Sequence, residues 1–180
     1  MKPRPEDTRA WAAGVLRSGL EDRAELHRQV VDALRSDHPE LDADATATTW
    51  LELETRAWVD EAETWPETTD HDRLTSAFSS LEASGVVVLQ GCPDHWAAQD
   101  LLARTNPAPR GIAWFTAPDV WHAVDEGMLE VNLWHGSSAN AASGDALLDE
   151  ALAAFAAAGL EAHFDEGRIE VSAYWQRRPQ

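Results

Sequence analysis

Cysteine and lysine are almost absent from this 180-residue sequence, which contains one of each, Cys92 and Lys2. A single cysteine excludes an intramolecular disulfide and is typical of a reducing compartment. A single lysine at the second position argues against Schiff-base chemistry and against phosphate binding through lysine. Schiff-base enzymes and sites that bind phosphate through a lysine are therefore improbable.

Long apolar runs are also missing. No window approaches the ~18 to 20 apolar residues that a membrane span requires. The first residues, MKPRPEDTRAW, lack the apolar stretch of a secretory signal. We therefore expect a cytoplasmic protein that does not enter a membrane.

Sequence motifs that carry known chemistry are absent as well. There is no H-E-x-x-H, no G-x-S-x-G, no phosphate-binding loop and no dinucleotide-binding glycine pattern. This weakens the case for an enzyme without closing it, and no cofactor is predicted.

Acidic residues dominate the charge, which is −18 with a sequence pI near 4.5. This charge argues against binding nucleic acid through its phosphates and against docking on anionic membranes. Basic proteins and metal cations are the partners that it attracts. Nine tryptophans and a hydrophobic content of 44% indicate a substantial core.

Helical periodicity fills the first third of the chain, and no convincing strand occurs there. A polar segment around Pro66 interrupts the pattern, and all strand signals follow it. We predict an N-terminal helical region over residues 1–66 and a C-terminal α/β domain over residues 67–180. Arg177 and Arg178 are expected to form a solvated tail.

Three apolar segments in the second region read as strands separated by helices. Val86–Gln90 resembles a strand buried on both faces, and the segments 112–115 and 129–133 flank a short helix that Pro118 opens. Strand, helix and strand in this order predict a parallel crossover. A hairpin over residues 161–175 closes the chain. The fold class is α+β and α/β-like: a mixed, mostly parallel sheet of about five strands with packed helices and a C-terminal β-hairpin, preceded by an N-terminal helical region.

Three strings carry a family resemblance. GVVVLQGCPDHW, RGIAWFTAPDVWHAVDEGMLEVNLWHG and AAAGLEAHFDEGRIEVSAYWQRR resemble a family of uncharacterised bacterial proteins that is defined only as a domain of unknown function. The resemblance covers roughly residues 64–178 and leaves the N-terminal helices outside. It implies no substrate, cofactor or catalytic residue.

Parallel strands would gather several chemically active side chains at one edge of the sheet, where open α/β sheets bind ligands. Such a cluster would offer nitrogen, oxygen and sulfur ligands to a divalent metal and could activate a bound water. The ligand-binding candidates are Cys92, Asp94, His95, Asp119, His122, His135, Ser137 and Asn140.

The cluster also has a structural interpretation, which we favour. Asp94 and His95 suit the start of a helix, His122 suits a partly buried histidine, and Ser137 and Asn140 are common turn formers. Cys92 suits a buried core position.

Two functional hypotheses follow. The first is a non-catalytic protein-interaction or regulatory module, with a basic protein as one candidate partner and Trp96, Trp121 and Trp134 as aromatic anchors. The same tryptophans equally suit the core. The second is a small ligand-binding or metal-binding protein, or a hydrolase, that uses the predicted cluster. The oligomeric state is left open.

Overall fold

A computed structural model describes residues 3–179 of the chain, which divide into two compact units. The helical unit comprises the residues up to Glu67 together with those from Gln176 onward. The sheet unit comprises Thr68–Trp175. The C-terminal residues therefore group with the N-terminal helices.

Seven helices and five strands occur in residues 3–179. In chain order they are α1 (Pro5–Ser18), α2 (Arg23–Asp37), α3 (Ala43–Ala62), α4 (Asp70–Ala83), β1 (Val86–Cys92), α5 (His95–Arg104), β2 (Gly111–Thr116), α6 (Ala117–Asp125), β3 (Met128–His135), α7 (Ala146–Ala157), β4 (Glu161–Asp165) and β5 (Arg168–Ser172).

The helical unit contains the three helices α1 to α3, and α2 and α3 each begin at an aspartate cap. Asp22 accepts a hydrogen bond from the Glu25 backbone N–H at the start of α2, and Asp42 accepts one from Ala45 at the start of α3. Such caps stabilise a helix by roughly 1 kcal/mol each. Aliphatic stripes at helical spacing pack between the helices, with Leu34 fully buried.

Arg178 belongs to this unit and is exposed, as a solvated tail requires, but its side chain is anchored. Its guanidinium donates one hydrogen bond to the carbonyl oxygen of Ala62 at 3.0 Å and another to that of Pro66 at 2.6 Å. Ala62 is the last residue of α3, and its carbonyl also accepts from the Trp65 N–H at 3.3 Å, whereas Pro66 lies four residues beyond the helix. The arginine therefore holds the end of α3 to the segment that follows it.

The sheet unit contains one five-stranded sheet with the strand order β1-β2-β3-β5-β4. One face packs against helices around an aromatic core. There, the Phe78 ring stacks on Phe115 at 5.5 Å and meets Phe155 edge-on at 5.9 Å, and Trp175 contacts Phe115 at 6.0 Å. Phe115 and Phe155 are fully buried. Removing such a ring costs about 3–5 kcal/mol, so this cluster is a main source of stability.

The structure confirms the predicted α+β class, with a mixed sheet of five strands, a closing hairpin and preceding helices. The prediction that the sheet is mostly parallel is wrong. β1 and β2 are parallel, whereas β2 with β3, β3 with β5, and β4 with β5 are antiparallel. The predicted crossover from β2 through α6 to β3 therefore does not exist.

Connection length explains this difference. The 18 residues 93–110 between β1 and β2 suffice for a crossover, but only the 11 residues 117–127 separate β2 from β3. α6 follows β2 without a linker. The nine residues of this helix span about 13 Å, which is shorter than the roughly 20 Å length of the six-residue β2 that a crossover would have to travel back along. The chain therefore re-enters the sheet from the same end.

β1 is an edge strand, and the expectation that it is buried on both faces is also wrong. Val86 is buried, but the next three residues are half-buried and Gln90 is exposed. At the opposite edge, β4 joins β5 through Glu166 and Gly167, both with positive φ (44° and 93°). Positive φ at both central residues gives the tight hairpin turn that matches the twist of the strands.

Candidate functional site

The second face of the sheet is open over β3, β5 and β4. Residues that pair directly across antiparallel strands share a face, and the pairs Glu130–Glu170 and Glu170–His163 place their side chains on the side opposite the aromatic core. We call this surface the open face. It consists of Met128, Glu130, Asn132, Trp134, Glu161, His163, Asp165, Arg168, Glu170 and Ser172.

Carboxylates dominate the open face. Glu130 and Glu170 lie directly opposite each other at its centre, with 24% and 29% of their side chains exposed. Glu161 and Asp165 are exposed along the edge strand β4. Like charges directly opposite each other on neighbouring strands are unfavourable, so positively charged groups beside them stabilise the arrangement.

Two basic side chains partly neutralise this surface. Arg168 forms an ion pair with Glu130, and His163 Nε2 lies 3.3 Å from Glu170 Oε2. The arginine is 52% exposed and the histidine 67% exposed, so solvent screens both contacts. At neutral pH four carboxylates therefore face one permanent positive charge.

Aromatic side chains border the open face at both ends of β3. Trp134 packs edge-on against Trp114 with 4.9 Å between ring centroids, and it remains half-exposed. At the other end, the ring of Tyr174 lies over Gly127, where an added Cβ would come within 2.7 Å of it. Tyr174 is 49% exposed. Aromatic residues are enriched in protein interfaces, so these two rings are candidate contacts for a partner.

On this same side of the sheet, α5 packs over β1 and β2. Ala98 and Leu102 of the helix form a buried cluster with Cys92, Ile112 and Trp114. The register pairs Ile112 with Trp134 and Trp114 with Asn132, so this cluster and the open face are continuous.

The predicted ligand cluster is divided between the two ends of the sheet. Cys92 pairs with Thr116 where β1 and β2 end, whereas His135, at the end of the antiparallel β3, pairs with Gly111 where β2 begins. Asp94 and Asp119 lie at the same end of the sheet as Cys92. The helices α5 and α6 also begin at this end, and they carry the exposed His95 and His122. Ser137 and Asn140 follow His135 in an exposed loop at the second end.

Both aspartates of the first end act in helix capping. Asp94 accepts a hydrogen bond from the Ala97 N–H at 3.1 Å and caps α5. Asp119 Oδ2 accepts from the backbone N–H and from the hydroxyl of Thr116, both at 2.7 Å, in a capping box at the start of α6. The contact of Asp94 matches its structural interpretation, and the capping role of Asp119 was not predicted.

Cys92 is 4% exposed, and its thiol donates to the Phe115 carbonyl oxygen at 3.4 Å. Burial raises the pKa of Cys92, and the nearby carboxylates of Asp94 and Asp119 raise it further. A thiol in this environment carries little thiolate at neutral pH and is a poor nucleophile.

At the second end, His135 Nε2 lies 2.8 Å from Asp145 Oδ2. The same carboxylate oxygen accepts from the Ala142 N–H at 2.8 Å. The hydrogen bond from His135, followed by that from Ala142, lowers the pKa of Asp145. This contact fastens the loop that contains Ser137 and Asn140.

The three candidate tryptophans differ in exposure. Trp96 is 62% exposed and contacts the His95 ring, with 4.5 Å between ring centroids. Trp121 is half-buried, and within residues 3–179 its buried indole N–H has no acceptor. Trp134 is the one of the three that lies on the open face.

In residues 3–179, no three side chains of the metal-ligating types are grouped so that they could hold an ion. Over the same range, no helix combines the length and apolar character needed to cross a bilayer.

The residues that make the open face acidic were absent from the predicted site. Their signal was present as alternation: Glu130 and Asn132 between apolar neighbours in β3, and Glu170 and Ser172 in β5. Alternation identifies the polar face of each strand. It does not show that β5 is inserted between β3 and β4, which is what brings the carboxylates together.

The fold and this surface define an acidic α+β protein with one sheet face open to solvent. The chain belongs to the family described as Domain of unknown function (DUF6891), whose model matches residues 3–179. The predicted membership of an uncharacterised family is thus confirmed, and the match also includes the N-terminal helices that the resemblance left outside. Neither a curated protein nor a solved structure matches the chain.

Proposed function

We propose that the protein is a cytoplasmic, non-catalytic interaction module whose open face binds a basic segment of another protein. The observation that carries this proposal is the opposed pair Glu130 and Glu170, flanked by Glu161 and Asp165 on an uncovered sheet.

Charge supports this choice of partner. The sheet unit, Thr68–Trp175, contains 16 acidic and four basic residues, which gives a formal net charge of −12. Such a field accelerates the approach of a basic partner and repels acidic ones. An arginine-rich segment fits best, because guanidinium groups bind carboxylates in pairs of hydrogen bonds and stack on aromatic rings such as Trp134.

Binding of a nona-arginine peptide, measured by calorimetry at two salt concentrations, tests the proposal. The test variant combines Glu130→Gln, Glu161→Gln, Asp165→Asn and Glu170→Gln. Exposed ion pairs contribute about 0.5 kcal/mol each, so the four changes should weaken binding by about 2 kcal/mol, or roughly 30-fold. The effect should shrink at high salt.

A control variant removes the same charge elsewhere, through Glu52→Gln, Asp60→Asn, Asp125→Asn and Asp149→Asn. All four residues are exposed and none lies in a strand. We expect less than about a threefold effect, because only long-range attraction is lost. Equal losses in the two variants would show that net charge alone attracts the peptide, and the proposal would then be wrong.

A further inference from the structure

We infer that the outer edge of β1 is a second binding site, which takes an extended peptide segment as an added strand of the sheet. The segment would carry aliphatic side chains on one face and basic side chains on the other. This site is separate from the open face, and it is argued from the backbone of β1 and from the groove beside it.

The first argument is the unpaired backbone of β1. As the edge strand it pairs only with β2, so alternate residues point their N–H and C=O groups away from the sheet. Within residues 3–179, no backbone or side-chain group outside β2 forms a hydrogen bond with Val86–Gln90. An extended peptide can occupy such an edge by forming main-chain hydrogen bonds.

The second argument is that β1 lacks the charges that usually protect an edge. The strand reads VVVLQGC, without a charged residue, whereas the opposite edge strand β4 alternates Glu161, His163 and Asp165 along one face. Charged side chains on an edge discourage strand addition. Gly91, with φ of 61°, lies within the register shift between Leu89 and Cys92, where the regular part of β1 ends. About five residues, or roughly 17 Å, are therefore available to a partner strand.

The third argument is a groove of about 410 Å³ at the start of this edge. Its walls are Val86, Val87, and the segment 107–109, which reads Pro-Ala-Pro. The groove is mainly apolar and suits an aliphatic side chain of the added strand. Pockets of this kind give strand addition its side-chain specificity.

Charge at the rim of the groove selects a basic partner. Glu82 lines the groove and forms no ion pair within residues 3–179. Arg110 also lines it, but Glu150 neutralises this guanidinium through two hydrogen bonds of 2.8 and 2.9 Å, and the Ser84 carbonyl holds it in place at 3.0 Å. The uncompensated charge is therefore negative, in agreement with the charge of the whole unit. A second copy of this chain brings the same negative charge and is a poorer occupant.

The experiment uses the full-length protein and the synthetic peptide acetyl-RVRVRV-amide, in which valines and arginines alternate on opposite faces. Amide hydrogen exchange, followed with and without peptide, should slow by at least tenfold at residues 86–90. Two variants of the peptide are N-methylated, one at the valines and the other at the arginines, so that each lacks the N–H donors along one of its two edges. One N-methylated peptide should bind at least tenfold more weakly than the parent, and the other should retain most of the affinity.

Three variants complete the test. Glu82→Gln should weaken binding by about two- to fivefold, and Val88→Lys should block strand addition. The quadruple open-face variant described above should still show peptide-induced protection at residues 86–90, so this site and the proposed function can fail separately. The inference is overturned if the peptide binds without protecting these amides, if both N-methylated copies bind equally well, or if sedimentation shows that β1 is already occupied by a second copy.

Discussion

Gly111, the first residue of β2, sits where the antiparallel pairing of β2 and β3 leaves no room for a side chain. A Cβ added there would lie 2.4 Å from the carbonyl oxygen of Trp134 and 2.9 Å from Leu147 Cδ2. The nearer atom belongs to the backbone of β3 and cannot rotate away. Gly111→Ala should therefore push the two strands apart where they pair.

The size of the effect follows from this geometry. The carbonyl oxygen must retreat by about 0.8 to 1 Å to reach van der Waals distance, and overpacking of this kind costs about 1–3 kcal/mol. Alanine also lowers the conformational entropy of the unfolded chain, which offsets roughly 0.5–1 kcal/mol of this cost. We expect a net loss of about 1 kcal/mol in the free energy of unfolding, or about 2–4 °C in Tm for a chain of this size.

Urea and thermal unfolding, followed by circular dichroism, measure this loss. Ser172→Ala is the matched control, because Ser172 is exposed at the end of β5 and its substitution should change stability by less than about 0.5 kcal/mol. If Gly111→Ala is as stable as the control variant, β3 does not lie against β2 in the described register. The division of the predicted ligand cluster between two ends of the sheet would then lose its basis.

Two further predictions concern the ionisable residues of the sheet unit. Because the folded protein lowers the pKa of Asp145 below its ordinary 3.8, the carboxylate stabilises the fold above that value, and this contribution disappears as the pH falls through the lowered pKa. Urea midpoints should therefore separate wild type from Asp145→Asn at pH 6 and converge as the pH falls through the lowered pKa; a constant difference would contradict the role of His135. Cys92 should react with iodoacetamide at pH 8 at least about 100-fold more slowly in the folded protein than in urea, because its thiol is buried and its raised pKa disfavours the thiolate. Equal rates would show that the thiol is accessible.

Local patterns predicted the elements of this protein well, because each depends on neighbours in the sequence. Helix α2, for example, combines an aspartate cap with an apolar stripe, and the closing hairpin is marked by Gly167 between alternating strands. The direction of β3 was predicted wrongly, since strand, helix and strand usually form a crossover. The decisive quantity was the length of the connection, in which the nine residues of α6 follow β2 with no linker.

The candidate site shows the same division between local and long-range information. The capping roles of Asp94 and Asp119 follow from their positions before or within the first turn of a helix, and the structural interpretation anticipated the role of Asp94. The acidic open face depends instead on strand order, because Glu130 and Glu170 are separated by 40 positions in the chain and meet only when β5 pairs with β3. No local pattern contains that pairing.

The two ends of the sheet unit meet. Asp70 is near the first residue of this unit and Tyr174 is next to its last. The backbone N–H of Tyr174 donates a hydrogen bond to the carboxylate of Asp70 at 3.2 Å. The unit is thus an insertion between the third helix of the helical unit and the final residues, in which Arg178 bonds to the end of this helix. A short linker could join residues 68 and 175 directly, and new termini could be opened at the exposed Glu166 in the hairpin turn. The sheet unit is therefore suited to circular permutation, with its strand order unchanged.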